Sequence, residues 1–315
     1  MTAINETDQP RVMIVVGPTG VGKSSLAMKL AGAFGGEIIS ADSMQVYRHM
    51  DIGTAKPTRD EQRRVRHHLI DIVNPDEPFQ ASLYQRLGRK AIDALYRSGK
   101  PVWVVGGTGL YIKTLTQGIF NSPKIDPSVR ERLKEEAKEK GKGLFYERLK
   151  RVDPETASRL HPGDLFRTLR ALEVFDSTGV PISFFRAQHG FGERPYHTFK
   201  IGLELDRGSL YRRIEERVDQ MMERGFLQEV RRLMEMGYGA ELKPMQSLGY
   251  KQMVQFLSKE IGWSEAVGRV KRDTRRYAKR QRTWFKADPE IRWRDAFSDR
   301  ERILEEVASF LGRGG

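Results

Sequence analysis

Residues Gly17–Ser24, GPTGVGKS, have the residue types and spacing of a phosphate-binding loop. Glycines let the backbone turn its N–H groups toward phosphate oxygens. The N-terminus of the following helix adds about half a positive charge, and Lys23 adds a full one. The Ser24 hydroxyl is placed to bind a Mg²⁺ ion that bridges two phosphates. The loop therefore predicts a site for a diphosphate or triphosphate, because a chance glycine-rich turn would not carry all of these features.

The residues around the loop supply the strand and helix that must position it. Residues 12–16 are an apolar run, and residues 24–34 have helical spacing. Residues 37–40 and 101–105 read as further buried strands, and residues 81–97 as an amphipathic helix. This alternation predicts an α/β fold, a P-loop NTPase-like parallel sheet with helices on both faces.

The character of the sequence changes after residue 123, where charged helical segments replace the alternation. Within this stretch we predict one helix over about 126–151, a second over 162–177 and a loop over 184–197. The chain then returns to strand character and ends in helices. The predicted domains are the first part of the core (1–123), a helical insertion (124–198) and the core continuation with basic C-terminal helices (199–315).

The carboxylates near the loop bear on the reaction. Nucleotide hydrolases usually carry an aspartate after a neighbouring strand to hold Mg²⁺. Here the strand 101–105 ends in GGTG, which leaves Asp71 as a possible substitute. Asp42 follows the strand 37–40, and the carboxyl ends of parallel strands line the ligand crevice. Asp42 is thus a candidate general base or metal ligand, with a turn cap as the alternative.

The charge of the chain points to an acidic partner. Lys and Arg total 55 against 42 Asp and Glu, a net charge of +13. Residues 269–286 (RVKRDTRRYAKRQRTWFK) hold nine of these basic residues, interleaved with Tyr277, Trp284 and Phe285. Basic residues neutralise phosphates and aromatic rings stack on bases, so we predict a nucleic-acid contact here. A solvated helix face and a calmodulin-type target helix are the alternatives.

Two pairs of arginines could also bind phosphate. Arg213 and Arg217 share one face of a predicted helix, where they could grip phosphate opposite the loop or pair with neighbouring glutamates. Arg167 and Arg170 lie on one side of the insertion helix and are candidates for an RNA-backbone contact.

Composition excludes several classes. The chain has no cysteine, so disulfides, cysteine nucleophiles and thiolate metal sites are excluded. The sequence contains neither a signal-peptide pattern nor an apolar run long enough to span a bilayer. We expect a soluble cytoplasmic protein with no membrane partner, acting as a monomer.

Seven motifs together resemble the tRNA dimethylallyltransferases, also called tRNA isopentenyltransferases, over roughly residues 11–290. They are GPTGVGKS (17–24), ADSMQVYRHMDIGTAKP (41–57), HHLID (67–71), GGTGLY (106–111), FRTLRALEVF (166–175), LGYKQ (248–252) and TRRYAKRQRTWF (274–285). At the positions of Gly20 and Val21 the family commonly has other small residues, so we expect no loss of phosphate binding from this difference. Because it has no cysteine, the chain resembles the bacterial type of the family, which has no zinc finger.

The resemblance implies transfer of a dimethylallyl group from dimethylallyl diphosphate to N6 of the adenosine 3′ of the anticodon in tRNA. Asp42 would be the general base, with Thr108 at the catalytic centre. The implied diphosphate site, with Mg²⁺ at Ser24, comprises Gly17, Thr19, Gly20, Val21, Gly22, Lys23, Ser24 and Arg217. The implied contacts with the tRNA anticodon stem-loop are Asp42, Ser43, Met44, Gln45, Thr108, Arg130, Phe166, Arg167, Thr168, Leu169, Arg170, Gly249, Tyr250, Lys279, Arg280, Gln281, Trp284 and Lys286.

Two other functions stay open at this point. A P-loop kinase of a small metabolite would explain residues 12–110 but not the basic C-terminal helix. A non-catalytic RNA-binding switch controlled by a nucleoside triphosphate would explain both and would form no covalent product.

Overall fold

The computed structural model describes residues 9–119, 126–190 and 192–312. The strands are β1 Arg11–Val16, β2 Glu37–Ser40, β3 His67–His68, β4 Val102–Gly106, β5 His197–Glu204 and β6 Ile291–Asp295. The helices are α1 Lys23–Phe34, α2 Arg59–Arg64, α3 Ala81–Arg97, α4 Gly109–Gln117, α5 Pro127–Lys140, α6 Lys142–Val152, α7 Pro154–Ser158, α8 Leu165–Thr178, α9 Ile182–His189, α10 Arg207–Glu223, α11 Phe226–Glu235, α12 Tyr250–Leu257, α13 Trp263–Lys286 and α14 Arg300–Leu311.

The strands form one parallel sheet in the order β3-β2-β4-β1-β5-β6. Its central strands are apolar throughout because both faces are covered by helices. Along β1, Val12 and Ile14 pack into the core on one face, while Met13 and Val15 pack into the core on the other. The predicted parallel α/β fold with helices on both faces is confirmed.

The parallel arrangement decides where the site must lie. The carboxyl ends of β1, β2 and β4 meet at one edge, with β4 between the other two. The loop after β1 is the predicted phosphate loop, and the loop after β2 contains Asp42. The loop after β4 contains Thr108, whose N–H donates to the carbonyl of Ala41 at 3.0 Å. Three candidate segments distant in sequence are thereby brought to one place.

The chain divides into two compact units, Met1–Thr116 with Arg194–Gly315, and Gln117–Glu193. The sequence predicted an insertion over 124–198; its predicted start, at residues 123–124, lies outside the described residues. The second unit is helical, with its own apolar core that includes Leu149 and Leu172. Among the described residues, no helix is long and apolar enough to cross a membrane.

Several predicted elements need correction. The single helix predicted over 126–151 is two helices, because Gly141 adopts a φ of 80° between α5 and α6. The loop predicted over 184–197 is wrong in its first part, where α9 continues to His189. The sequence reading also missed β6 and α14, which follow the basic helix. The short β6 carries three charged residues in IRWRD, so its composition gives little strand signal.

The end of β4 allows a test of how tightly the two loops pack. A Cβ at Gly106 would lie 2.1 Å from the carbonyl oxygen of Ala41, the residue before Asp42. Gly106→Ala should therefore destabilise the first unit by about 1–3 kcal/mol, because backbone must shift to admit the methyl group. We expect a lower midpoint of thermal unfolding by calorimetry.

Gly32→Ala is the matched control. Gly32 lies on α1, and a Cβ there would have no atom within 4 Å, so the substitution should be neutral or stabilising by about 0.5–1 kcal/mol. Equal midpoints for the two variants would contradict the close packing of these loops.

Candidate active site

The phosphate loop has a conformation that requires glycine at its two ends. Gly17 has a φ of 144°, and a Cβ there would lie 2.6 Å from the carbonyl oxygen of Leu203. Gly22 has a φ of 105° but no atom within 4 Å, so its backbone conformation and not crowding requires glycine. Since no side chain caps α1 in the described structure, its first N–H groups are available to an anion. The side chain of Val21 is buried in the core, so only its backbone can serve the site.

Lys23 and Arg217 place two cations beside this helix end. The Lys23 ammonium donates to the Pro18 carbonyl at 2.8 Å. Burial lowers the pKa of Lys23 to about 7, with a further lowering from Arg217 and an opposing effect from Asp42. Burial also lowers the pKa of the Arg217 guanidinium, again opposed by Asp42. An anion bound between the two cations would favour their charged forms and would therefore raise both pKa values again.

Asp42 has one oxygen engaged and one available. Its Oδ1 accepts from the N–H of Met44 at 2.8 Å, with a longer contact of 3.4 Å from the N–H of Gln45. In the described part of the chain, no hydrogen bond to Oδ2 is present. The turn therefore fixes the carboxylate and leaves one oxygen to accept a proton or a donor.

The loop after β4 meets the Asp42 loop and α13 at one point. The Thr108 hydroxyl oxygen accepts from the N–H of Ser43 at 3.0 Å. Tyr277 of α13 interacts with both Thr108 and Gln281, and burial raises its pKa to about 12, so that its phenol stays protonated. The side chain of Gln45 is held at the end of β2, since its Oε1 accepts from the Ser40 hydroxyl at 2.9 Å.

Lys23, Arg217 and Asp42 line a cavity of about 400 Å³ within the first unit. The rest of its lining comes from residues 53–55, 105–107 and 247–248 and from α10 to α13, which contribute the apolar side chains of Met221, Phe226 and Val270. Thr108 lies behind Ser43 and not in the lining. The sequence-predicted residues that line the cavity are Thr19, Lys23, Ser24, Asp42, Ser43, Met44, Gln45, Arg217, Gly249, Tyr250, Arg280 and Gln281.

The two arginines of α10 have different positions. Arg217 lines the 400 Å³ cavity, and a second, more open cavity of about 380 Å³ also contacts Arg217, Lys23 and Ser24. Arg213 lines only the second of these two cavities, and its Nε donates to the Gly20 carbonyl at 3.0 Å. Arg217 is thus the arginine that faces the carboxylate, whereas Arg213 braces the phosphate loop.

Asp71 cannot replace the aspartate that nucleotide hydrolases carry at a strand end, because a buried lysine engages it. The Lys56 ammonium lies 2.6 Å from Asp71 and 2.6 Å from Asp51, and also donates to the Tyr47 carbonyl. Across the described residues, no group of three or more His, Cys, Asp or Glu could hold a metal ion. A metal at this site would therefore need phosphate oxygens among its ligands, an arrangement typical of Mg²⁺.

The sequence reading missed Glu229, a buried carboxylate that shapes the cavity. It accepts from the N–H groups of Asp51, Ile52 and Gly53 at 2.7–3.1 Å and from the Tyr250 hydroxyl at 2.7 Å. Glu229 lies in the apolar stripe of α11 with Phe226, Val230 and Leu233. A glutamate within an apolar helical stripe was the signal that could have identified it.

Two cations of the basic helix α13 differ from the rest. Carboxylates lie within ion-pair distance of Arg269, Lys271, Arg272, Arg275, Arg276, Arg282 and Lys286. Lys279 and Arg280 have no such partner among the described residues, and both are exposed. Arg280 also lines the cavity. Trp284 is 47% exposed and packs over Gly109 at the start of α4.

The predicted contacts in the second unit separate into exposed and internal groups. Phe166 is 82% exposed, and Arg167 beside it is exposed while pairing with Asp164 at 2.6 Å. Thr168 and Leu169 are buried in this unit, and their implied contact with tRNA stays a prediction. Arg130 and Arg170 both hydrogen-bond to the buried Glu173, so their guanidinium groups are partly engaged inside the unit.

The chain matches known proteins along most of its length. A model of the family described as IPP transferase matches residues 45–288. A "tRNA dimethylallyltransferase 2" of Syntrophus aciditrophicus (strain SB) is 53% identical over 304 residues, covering 96% of this chain and 97% of the relative. A "tRNA dimethylallyltransferase" of Syntrophobacter fumaroxidans is 58% identical over 285 residues, covering 90% of this chain and 83% of the relative.

Solved structures also match. The full-length tRNA isopentenylpyrophosphate transferase of Bacillus halodurans superposes with a TM-score of 0.73 at 36% identity, covering 97% of this chain and 98% of that one. A eukaryotic dimethylallyltransferase acting on tRNA gives a TM-score of 0.82 at 30% identity, covering 97% of this chain and 80% of that one.

The lowered pKa of Lys23 predicts a pH dependence of anion binding. Below about pH 7 the ammonium is charged, and above it the empty site holds a neutral amine that must gain a proton to pair with an anion. Relative to Lys23→Arg, which stays charged, the wild-type affinity for inorganic diphosphate should fall about tenfold by about pH 8. Calorimetry in buffers of different ionisation enthalpy should detect proton uptake. If the ratio of the wild-type affinity to the Lys23→Arg affinity stayed constant between about pH 6 and pH 8.5, the lowered pKa of Lys23 would be contradicted.

Proposed function

The chain belongs to the IPP transferase family, and from this premise we propose that it is a tRNA dimethylallyltransferase. It transfers a dimethylallyl group from dimethylallyl diphosphate to the exocyclic amine (N6) of the adenosine 3′ of the anticodon in tRNA, and releases diphosphate. The observation that carries this proposal is one cavity lined by phosphate-loop residues, by the cations Lys23 and Arg217, and by Asp42. One oxygen of the Asp42 carboxylate is hydrogen-bonded, and the other is available to a ligand.

The leaving group needs stabilisation more than any other part of the reaction. An allylic C–O bond breaks readily because the carbon cation is delocalised, and the bonding pair moves onto the diphosphate. The free N–H groups at the start of α1, with Lys23 and Arg217, would stabilise that charge without reorganising. The proposed diphosphate site therefore comprises Gly17, Thr19, Gly20, Val21, Gly22, Lys23, Ser24 and Arg217.

The nucleophile is weak because the N6 lone pair is shared with the adenine ring. As N6 bonds to the C1 carbon of the dimethylallyl group, one N6 proton must leave. Asp42 Oδ2 would accept that proton, while Met44 holds Oδ1 in place. The product is a secondary amine, and every proton and electron pair is then accounted for.

The apolar walls of the cavity suit the remaining requirements. The target base must leave the anticodon stack to reach Asp42, and a chamber of about 400 Å³ is in the range of small-molecule sites. Met221, Phe226 and Val270 would exclude the water that could otherwise capture the allylic cation.

Mg²⁺ fits the residues at the helix start. Ser24 contacts both cavities beside Lys23, where its hydroxyl would hold the ion together with diphosphate oxygens. Bound there, Mg²⁺ would add positive charge against the departing diphosphate.

The basic helix supplies the proposed tRNA contact. Lys279 and Arg280 are the α13 cations with no carboxylate partner among the described residues, and Arg280 lies over the Tyr277 ring and lines the cavity itself. In the second unit, the exposed members of the predicted set are Arg130, Phe166 and Arg167, and Arg130 is also paired with Glu173. The expectations of a monomer and of a cytoplasmic location stay predictions.

The alternative of a small-metabolite kinase is not supported. The relatives named as tRNA dimethylallyltransferases cover 90% or more of this chain, and the family model matches residues 45–288, which include the basic helix that a kinase would leave unexplained.

Asp42→Asn tests the function and the base together. The asparagine Oδ1 can still accept from Met44, but the amide cannot take a proton, so turnover should fall about 10²–10⁴-fold. Nucleoside mass spectrometry after incubation with tRNA and dimethylallyl diphosphate should show adenosine gaining C5H8 with wild type. Affinity for tRNA should change by less than about twofold, because this change removes no phosphate contact.

The matched control is Asp60→Asn, an exposed aspartate on α2 that pairs with Arg63 and should leave turnover unchanged. If Asp42→Asn kept near-normal turnover, the base would lie elsewhere. If the wild-type protein gave no C5H8 product, the proposed transfer itself would be wrong.

The double variant Lys279→Ala and Arg280→Ala tests the RNA contact. Removing two phosphate partners should weaken tRNA binding and reduce the slope of log affinity against log salt by up to about two. Fluorescence anisotropy with a labelled anticodon stem-loop across a salt series measures both quantities.

Arg269→Ala with Arg272→Ala removes the same charge from the same helix at residues already paired with Glu265 and Asp273. This control should leave the slope nearly unchanged. An equal loss in both double variants would mean that RNA does not concentrate at Lys279 and Arg280.

A further inference from the structure

Gln281 of α13 has its side-chain amide fully engaged inside the protein. It is 6% exposed. Its Oε1 accepts from the N–H of Thr19 in the phosphate loop at 2.8 Å, and its Nε2 donates to the Gly107 carbonyl after β4 at 3.0 Å. One side chain thus joins α13 to two of the three loops that form the site.

The same helix turn reaches the third loop. Tyr277, one turn before Gln281, interacts with Gln281 and with Thr108, whose hydroxyl accepts from the N–H of Ser43 beside Asp42. Lys279 and Arg280 lie between these two residues in sequence and are exposed. A single stretch of α13 therefore carries two exposed cations without a carboxylate partner among the described residues, together with the groups that support the site.

Only an uncharged amide suits the position of Gln281. Its partners are one donor, the Thr19 N–H, and one acceptor, the Gly107 carbonyl. A carboxylate would face the carbonyl without a proton, and an ammonium would face the N–H without an acceptor. A Cβ at Gly107 would lie 2.2 Å from Nε2, so the contact leaves no room for a larger neighbour.

We propose that Gln281 is a positioning residue for the diphosphate, which holds Thr19 and the phosphate loop in place from α13, and that its amide forms no hydrogen bond with tRNA. This inference rests on the proposed function for the identity of the diphosphate donor. It departs from the role in tRNA contact that the family resemblance implied for this residue, because both polar ends of the amide are used within the protein.

The test compares Gln281→Met with Gln281→Glu in the full chain. Methionine keeps the length and loses both hydrogen bonds, whereas glutamate keeps the acceptor for Thr19 and loses the donor. Inorganic diphosphate with Mg²⁺ is the probe in titration calorimetry, a labelled anticodon stem-loop reports RNA affinity, and thermal unfolding reports stability. Gln228→Met, at an exposed position on α11, is the control and should leave all three unchanged.

We expect Gln281→Met to weaken diphosphate binding roughly tenfold, because the Thr19 N–H loses its buried partner. RNA affinity should stay within about twofold, and the KM for dimethylallyl diphosphate should rise more than kcat falls. Gln281→Glu should weaken diphosphate binding further, since it adds a negative charge beside the loop. Should the methionine variant fail to fold, the glutamate variant carries the same comparison.

Two results would overturn the proposal. The first is a loss of RNA affinity of about tenfold with diphosphate binding unchanged, which would make Gln281 an RNA contact. The second is a lowered unfolding midpoint with equal losses in both affinities, which would make its role merely structural. If wild type made no prenylated tRNA while Gln281→Met still lost diphosphate affinity, the proposed function would fail and the positioning role would stand.

Discussion

Two cations and one carboxylate are held together in a partly desolvated cavity, and the rest of the site is organised around that charge imbalance. Burial lowers the pKa of both Lys23 and Arg217, and only Asp42 opposes the effect. An anion with several oxygens resolves the imbalance, since it can pair with both cations and with the free N–H groups of α1. The site is thus complementary to a departing diphosphate, whose charge grows as the C–O bond breaks.

Hydrogen bonds from the C-terminal half of the chain hold in place the segments that surround this charge cluster. Gln281 anchors the phosphate loop, and the buried Glu229 accepts three backbone N–H groups from the segment 51–53 and the hydroxyl of Tyr250. Gly53 allows this packing, because a Cβ there would lie 2.2 Å from the ring of Phe226. The walls of the cavity therefore depend on α11 to α13, although two of its charged residues, Lys23 and Asp42, follow β1 and β2 in the chain.

Features of the site that depend on local sequence patterns could be predicted, whereas features that depend on tertiary packing could not. The loop, its strand and Asp42 were predictable because short apolar runs and glycine spacing are local, and parallel strands bring their carboxyl ends together. The distinct roles of Arg213 and Arg217 were not, because residues four apart share a helix face and only the packing of α10 decides which one reaches Asp42. Thr168 and Leu169 were assigned by motif alone, whereas the tertiary packing of α8 buries them.

The end of β4 explains why a loop known from nucleotide hydrolases serves a different reaction here. In those enzymes a neighbouring strand ends in an aspartate that holds Mg²⁺. In this chain Gly106 and Gly107 occupy that strand end, and a Cβ at either would lie 2.1–2.2 Å from Ala41 or Gln281. The space that such a carboxylate would need is filled by the backbone before Asp42 and by the amide from α13. The negative group of the site is instead Asp42, held with one oxygen free at the edge of the base-sized cavity, where it can act on a nucleophile and not on a phosphate.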